Sequence, residues 1–197
     1  MNLKTNGRLD RIVKEIPPAY IVCDAFSDFD KTIITQNTPV ILVIKNLTNL
    51  LKEKEFKRAV SLGLKAVYSW FKCKHYDDAR YFYETLEGCK DLREHISSEV
   101  TLRKEWPELV KARGYKNIGI VTQNDSGFAK MSIKQLKNKN ELDGITLSLY
   151  MANEIEVKDG RFTSNYEIKF RDGDLRKILS GTPFIDYDVR TSRLLIR

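Results

Sequence analysis

The spacing of apolar residues changes twice along the chain and divides it into three stretches. Positions 20–26 form a short, nearly continuous apolar run, the pattern of a buried strand. Before it, Leu9, Ile12, Val13 and Ile16 recur at helical spacing until Pro17 and Pro18 stop them. Beyond it, from Val40 to about Arg103, the period is helical. Positions 40–44 are apolar, and their continuation at Leu47, Leu50 and Leu51 favours helix over strand. Phe56, Val60, Leu64, Val67 and Phe71 then line one face of a second helix. A further helix starts near Asp77 and Asp78, acids suited to a helix N-terminus, and runs to Gly88; another covers 92–102. Tyr68, Trp70, Phe71, Tyr76, Tyr81, Phe82 and Tyr83 are expected to pack between these helices.

After residue 103 short β-rich runs alternate with helical ones. A helix closed by Gly114 leads into 117–124, an apolar run ending in a hydroxyl residue and polar turn formers. A helix over 126–139 and a strand over 145–150 follow. Asp159-Gly160, between alternating runs, signals a hairpin. A brief helix is expected over 172–179, a strand over 183–188 and a last short strand over 193–197.

Composition narrows the class without naming a function. The 197 residues suffice for one domain, or a core with an insert, and 42 % apolar residues can build its interior. No 18 consecutive positions are apolar, and the N-terminus lacks the apolar segment of a secretory signal, so neither a membrane span nor a membrane partner is expected. Cys23, Cys73 and Cys89 lack metal-like spacing and read as reduced thiols of a cytoplasmic protein. His75 and His95 are too few for a histidine metal site. A net charge of +7 suits anionic small molecules or nucleic acid, and equally an ordinary lysine-rich surface, which is the favoured reading.

The candidate chemistry lies at the ends of the strand-like runs. Asp28 and Asp30 flank Phe29 just past the first run, and Thr32 follows. Open α/β sheets bind ligands at the carboxyl ends of their strands, so both acids would reach one site. One carboxylate can attack an electrophile while the other moves protons, and a divalent cation can rest against both. Thr122, Gln123 and Asn124 end the second run; Asp186 and Asp188 end the run over 183–188. Asp24, inside the first run, is expected to be paired with a neighbour or held at a bulge.

This order of motifs, with basic residues near 176 and 177, resembles the haloacid dehalogenase (HAD) superfamily, and Asp-Phe-Asp-Lys-Thr-Ile resembles its phosphoserine-phosphatase branch. Residues 151–163 also resemble the hairpin that follows the second motif there. The resemblance implies an α/β fold: a Rossmann-like parallel sheet built from 1–34 and 103–197, with a helical type-one cap over 35–102 inserted after the first strand. It implies a Mg²⁺-dependent phosphatase acting on a small phosphorylated metabolite through an aspartyl-phosphate. Asp28 would be the nucleophile and Asp30 the acid and base. Thr122, with Gln123 and Asn124, would hold a phosphate oxygen. Lys177 would neutralise the phosphate, with Lys169, Arg171 and Arg176 as alternatives. The metal would lie against Asp28, the Asp30 carbonyl, Asp186 and Asp188. The chain departs from the family at its fourth motif, where no glycine accompanies the acids and Arg190, Ser192 and Arg193 follow. That departure keeps open a second reading, a catalytically weak HAD-like protein holding nucleic acid or a protein partner on its basic surface.

Overall fold

The computed structural model describes residues 23–76, 80–168 and 181–196, without the side chains of 73–76. The expected helices over 1–18 and 172–179 lie outside these residues. So do Asp77, Asp78, Lys169, Arg171, Arg176 and Lys177, and the side chains of Cys73 and His75.

Six strands make one sheet: β1 (Ala25–Ser27), β2 (Asn117–Asp125), β3 (Thr146–Lys158), β4 (Arg161–Glu167), β5 (Phe184–Asp188) and β6 (Arg193–Ile196). Their order is β4-β3-β2-β1-β5-β6. β1 runs parallel to both β2 and β5, and β2 runs parallel to β3. The hairpins β3–β4 and β5–β6 add antiparallel edges. The protein is therefore of the α/β class, with a parallel centre that buries both faces of its middle strands. Ile118, Ile120 and Val121 of β2 and Ile185 of β5 accordingly have almost no exposed surface.

The first expected strand lies partly outside the described residues, and β3 is longer than expected. β1 is described from Ala25, and just before it the Asp24 amide donates to the Asn117 carbonyl at 2.8 Å while the Asp24 carboxylate accepts from the amides of Lys116 and Asn117 at 2.7 Å each. Those bonds, that of Asn117 foremost, hold the Asp24 carboxyl below its usual range. β3 runs unbroken across the expected gap after residue 150. A bulge there lets Ile120 pair with Leu149 and Val121 with Met151, so the strand continues from its parallel partner to its antiparallel one. Asp159 and Gly160, both at positive φ, make the expected turn into β4.

Among the described residues five α-helices lie between β1 and β2, the first four being α1 (Thr38–Lys52), α2 (Phe56–Tyr76), α3 (Arg80–Leu86) and α4 (Arg93–Ser98). Then come α5 (Glu105–Ala112) and, between β2 and β3, α6 (Ser126–Asn138). The expected periodicity of α2 is present, and the face it lines points to solvent. Ala59, Leu62 and Ser69 face inward, whereas Phe56, Val60, Leu64, Val67 and Phe71, with Tyr68 and Trp70, are exposed. Small inner residues are what let α2 approach its neighbours: Gly63 lies against Leu47 of α1, and Ser69 bonds to Thr85 and Tyr81 of α3. Among the described side chains of the aromatics expected to pack between helices, Tyr83 is the one deeply buried.

Candidate active site

The broad turn Phe29–Ile33 carries the chain from β1 toward α1, anchored by buried Phe29 and Ile33. Lys31, at φ 60°, takes the left-handed conformation that turns the backbone. Arg103 holds this turn from outside. Its Nε donates to the Lys31 carbonyl at 2.8 Å, and its guanidinium lies 4.0 Å above the Tyr187 ring, tying the turn to β5.

Asp28 leaves the carboxyl end of β1, with its amide donating to the Ile185 carbonyl at 3.0 Å. Phe26 pairs with Phe184 and Ser27 with Ile185, so Asp28 and Asp186 each stand one position past the last registered pair. Alternation along the strands directs both toward the face opposite Ser27, whose hydroxyl accepts from the indole of buried Trp106 at 3.1 Å. Thr32 reaches the Asp28 carboxylate at 3.5 Å, a long contact.

Asp30 is enclosed more tightly. The Thr38 hydroxyl, at the start of α1, lies 2.9 and 3.0 Å from its two carboxylate oxygens. Asn124 Nδ2 stands 3.4 Å from Oδ2 and also bonds to the Thr38 hydroxyl. Part of the residue's surface remains open, yet protein atoms crowd the carboxyl on most sides. This desolvation pushes its pKa up to about 7, against the opposing pull of Thr38, Lys31 and Asn124. A carboxyl in that range can hold or release a proton near neutral pH.

The 122–125 segment forms the opposite wall. The buried Thr122 hydroxyl accepts from the Asn124 amide at 3.2 Å. The Gln123 carbonyl accepts from Tyr83 Oη at 2.8 Å and from Asn153 Nδ2 at 2.7 Å. Gln123 Nε2 is buried and finds no acceptor among the described residues. Burial, then the field of Asp125, raises the Tyr83 hydroxyl pKa well above its ordinary value, so it stays a neutral donor. Asp125 caps α6 through the Phe128 amide at 2.9 Å, accepts from the Ile155 amide at 3.2 Å, and pairs with Arg93 at 2.6 Å. Burial works against the charge of Arg93, but bonds to Asp91 and Asp125 hold it more firmly protonated than an ordinary guanidinium.

The structure thus gathers Asp30, Thr38 and Asn124, and it sets Asp28 and Asp186 at the ends of adjacent strands. Asp188 goes elsewhere: its carboxylate accepts from the Arg190 amide at 2.9 Å and the Thr191 hydroxyl at 3.1 Å, inside the β5–β6 turn. Among the described residues no group of three or more His, Cys, Asp or Glu is placed to hold a metal. The donor chemistry of Asp28 and Asp186 nonetheless fits Mg²⁺, which takes one or two carboxylates and completes its shell with water and phosphate oxygens.

Thr38, Tyr83, Arg93, Asp125 and Asn153 have no role at the site in the reading of the sequence alone. Asp125 had a usable signal, an acid immediately before a predicted helix. The others come from distant segments, and no local pattern marks them.

No protein-family model and no curated protein matches the sequence. Solved structures of phosphoserine phosphatase do match. The apo form is 19 % identical over 73 % of this chain and 60 % of its own length, with a TM-score of 0.42. A phospho-aspartyl intermediate analogue is 18 % identical, covering 82 % of this chain and 76 % of that one at a TM-score of 0.46. A substrate-bound complex is 17 % identical with the same coverage and a TM-score of 0.44.

Proposed function

We propose that the protein is a HAD-type phosphomonoesterase acting on a small phosphorylated substrate. The observation that carries this reading is Asp30, an acid tuned to about 7 and placed two residues after an acid at the carboxyl end of a central parallel strand.

Asp28 attacks phosphorus through a carboxylate oxygen, forming an O–P bond as the bond to the leaving oxygen breaks. Asp30 gives its proton to that leaving alkoxide, and Thr38 and Asn124 steady the carboxylate so produced. The same carboxylate then takes a proton from water, which attacks the phosphorus of the aspartyl-phosphate and restores Asp28. The Thr122 hydroxyl, with the backbone amide of Gln123, is the proposed donor set for phosphate oxygens; the Asn124 amide, which donates to Thr122 in this structure, would have to turn from it to join them. Mg²⁺, held by Asp28 and Asp186, would neutralise charge between carboxylate and phosphate. Lys177 is the proposed further cation, with Lys169, Arg171 and Arg176 as alternatives.

Residues 35–102 are the proposed cap and 1–34 with 103–197 the core. Thr38 and Tyr83, both from that segment, bond to Asp30 and to the Gln123 carbonyl, which supports its role as a lid over the site. The test is a screen of phosphate esters with Mg²⁺ against the wild type and Asp28→Asn. Phosphate release by the wild type and its loss in the variant is the expected result; activity within a few-fold in Asp28→Asn removes the nucleophile.

A further inference from the structure

Helix α2 presents a continuous apolar stripe to solvent. The exposure of Phe56, Val60, Leu64, Val67, Tyr68, Trp70 and Phe71 ranges from 52 % at Phe71 to 69 % at Leu64. With 3.6 residues per turn, spacings of three and four keep these side chains on one side of the helix, next to the inward face of Ala59, Leu62 and Ser69. On α1, packed beside α2, Ile44 and Leu51 are also exposed, one turn to either side of the Leu47 that meets Gly63. Monomeric soluble proteins seldom leave so many large apolar groups together.

Charge selects among the surfaces that would cover this stripe. Between Phe56 and Tyr76 the sequence carries Lys57, Arg58, Lys65, Lys72 and Lys74 and no Asp or Glu. Lys57 and Lys65 are exposed along one flank of the stripe, as is Arg58, which is paired with Glu55 just before the helix. A second copy of the chain meeting this face would bring two basic flanks together. A nucleic acid would use the lysines and the aromatic rings, but Val60, Leu64 and Val67 in the middle of the stripe offer a base nothing to stack on. A phospholipid surface of negative charge satisfies every part. Apolar side chains enter the acyl boundary, Trp70 and Tyr68 suit the headgroup level, and lysines extend from their apolar stems to lipid phosphates.

We propose that the α2 face docks the protein in plane on an anionic membrane surface. No spanning segment is needed, and no helix among the described residues is long and apolar enough to cross a membrane. The inference is independent of the catalytic reading, since none of these side chains belongs to the site.

The chain has two tryptophans, and they separate cleanly as reporters. Trp106 has no exposed surface, whereas Trp70 is 59 % exposed, so an emission change on docking reads α2. The whole chain is titrated with vesicles of phosphatidylcholine alone and with phosphatidylglycerol added, with co-sedimentation alongside. Expected are a blue shift and co-sedimentation with the anionic vesicles only, weakened by salt. Leu64→Glu combined with Val67→Glu should reduce the association at least about tenfold, as should Lys57→Glu combined with Lys65→Glu. All four positions are exposed, so thermal melts should match the wild type; if a pair fails to fold, the wild-type vesicle arms decide alone. Absence of binding to anionic vesicles overturns the proposal, as does equal binding by wild type and folded variants. Tighter binding to a single-stranded oligonucleotide, or a vesicle-insensitive dimer abolished by Leu64→Glu with Val67→Glu, overturns it in favour of that partner.

Discussion

The Thr38 hydroxyl lies within 3.0 Å of both oxygens of the Asp30 carboxyl, so the first residue of α1 touches the acid of the proposed site. The bond joins the helical segment to the end of the first strand. It also stabilises the charged form of an acid that burial drives toward neutrality.

Asp30 should make stability depend on pH. Its folded pKa of about 7 lies above the ordinary value of 3.8, so the native state holds a proton that the unfolded chain has released. The stabilisation is complete below pH 3.8 and is lost as pH rises through about 7. Asp30→Asn keeps the shape and removes the charge. Urea denaturation in chelator-containing buffer should show the variant gaining on the wild type between pH 5 and pH 8 by roughly 1–3 kcal/mol. Parallel wild-type and variant pH profiles would count against the buried acid.

Thr38→Val removes one donor from the Asp30 carboxylate while preserving volume. The charged form then loses support, and the Asp30 pKa should rise further. In a pH–rate profile of phosphate release, the limb reporting Asp30 should move to higher pH. A fall in rate with no movement of that limb would make Thr38 a packing residue only.

Asp125 joins three elements: it caps α6, holds the Ile155 amide of β3 and pairs with Arg93 of α4. Asp125→Ala leaves Arg93 bonded to Asp91 but deprived of a nearly buried partner, and it uncaps the helix. Breaking a buried ion pair typically costs about 3–5 kcal/mol, and loss of a cap about 1 kcal/mol more. Denaturant unfolding should show a loss of at least about 3 kcal/mol. A loss below about 1 kcal/mol would place the pair among weak surface ones.

The strands and most helices were legible because their signals are local. The Asp159-Gly160 turn and the helix closure at Gly114 each follow from a few neighbouring residues. The α2 stripe was read at the correct period, but Tyr68, Trp70 and Phe71, expected to pack between helices, are exposed, because spacing fixes which residues share a face and says nothing of what covers it. Asp28, Asp30 and Thr122 were picked out by their places at strand ends. Tyr83 and Asn153 were not, since their meeting at the Gln123 carbonyl depends on packing between segments 40 and 30 residues distant from it.

Asp186 and Asp188 share a strand, and their environments separate their roles. Asp186 stands beside Asp28 across the β1–β5 pairing, at the end where parallel strands present ligands. Asp188, two residues on, is held below the usual carboxylate range by the Arg190 amide first, with the Thr191 hydroxyl adding to it. Its oxygens are turned into the hairpin they close. Asp186→Asn should therefore weaken Mg²⁺ binding, on the order of 10-fold or more for the loss of one of two carboxylates, and leave folding close to wild type. Asp188→Asn should lower the melting temperature slightly through the loosened turn and leave Mg²⁺ affinity unchanged. Calorimetric titration of Mg²⁺ into each variant, with thermal melts beside it, separates the two effects even where turnover is absent. Equal loss of affinity in both variants would return Asp188 to the metal site, and loss in neither would show that other groups hold the ion.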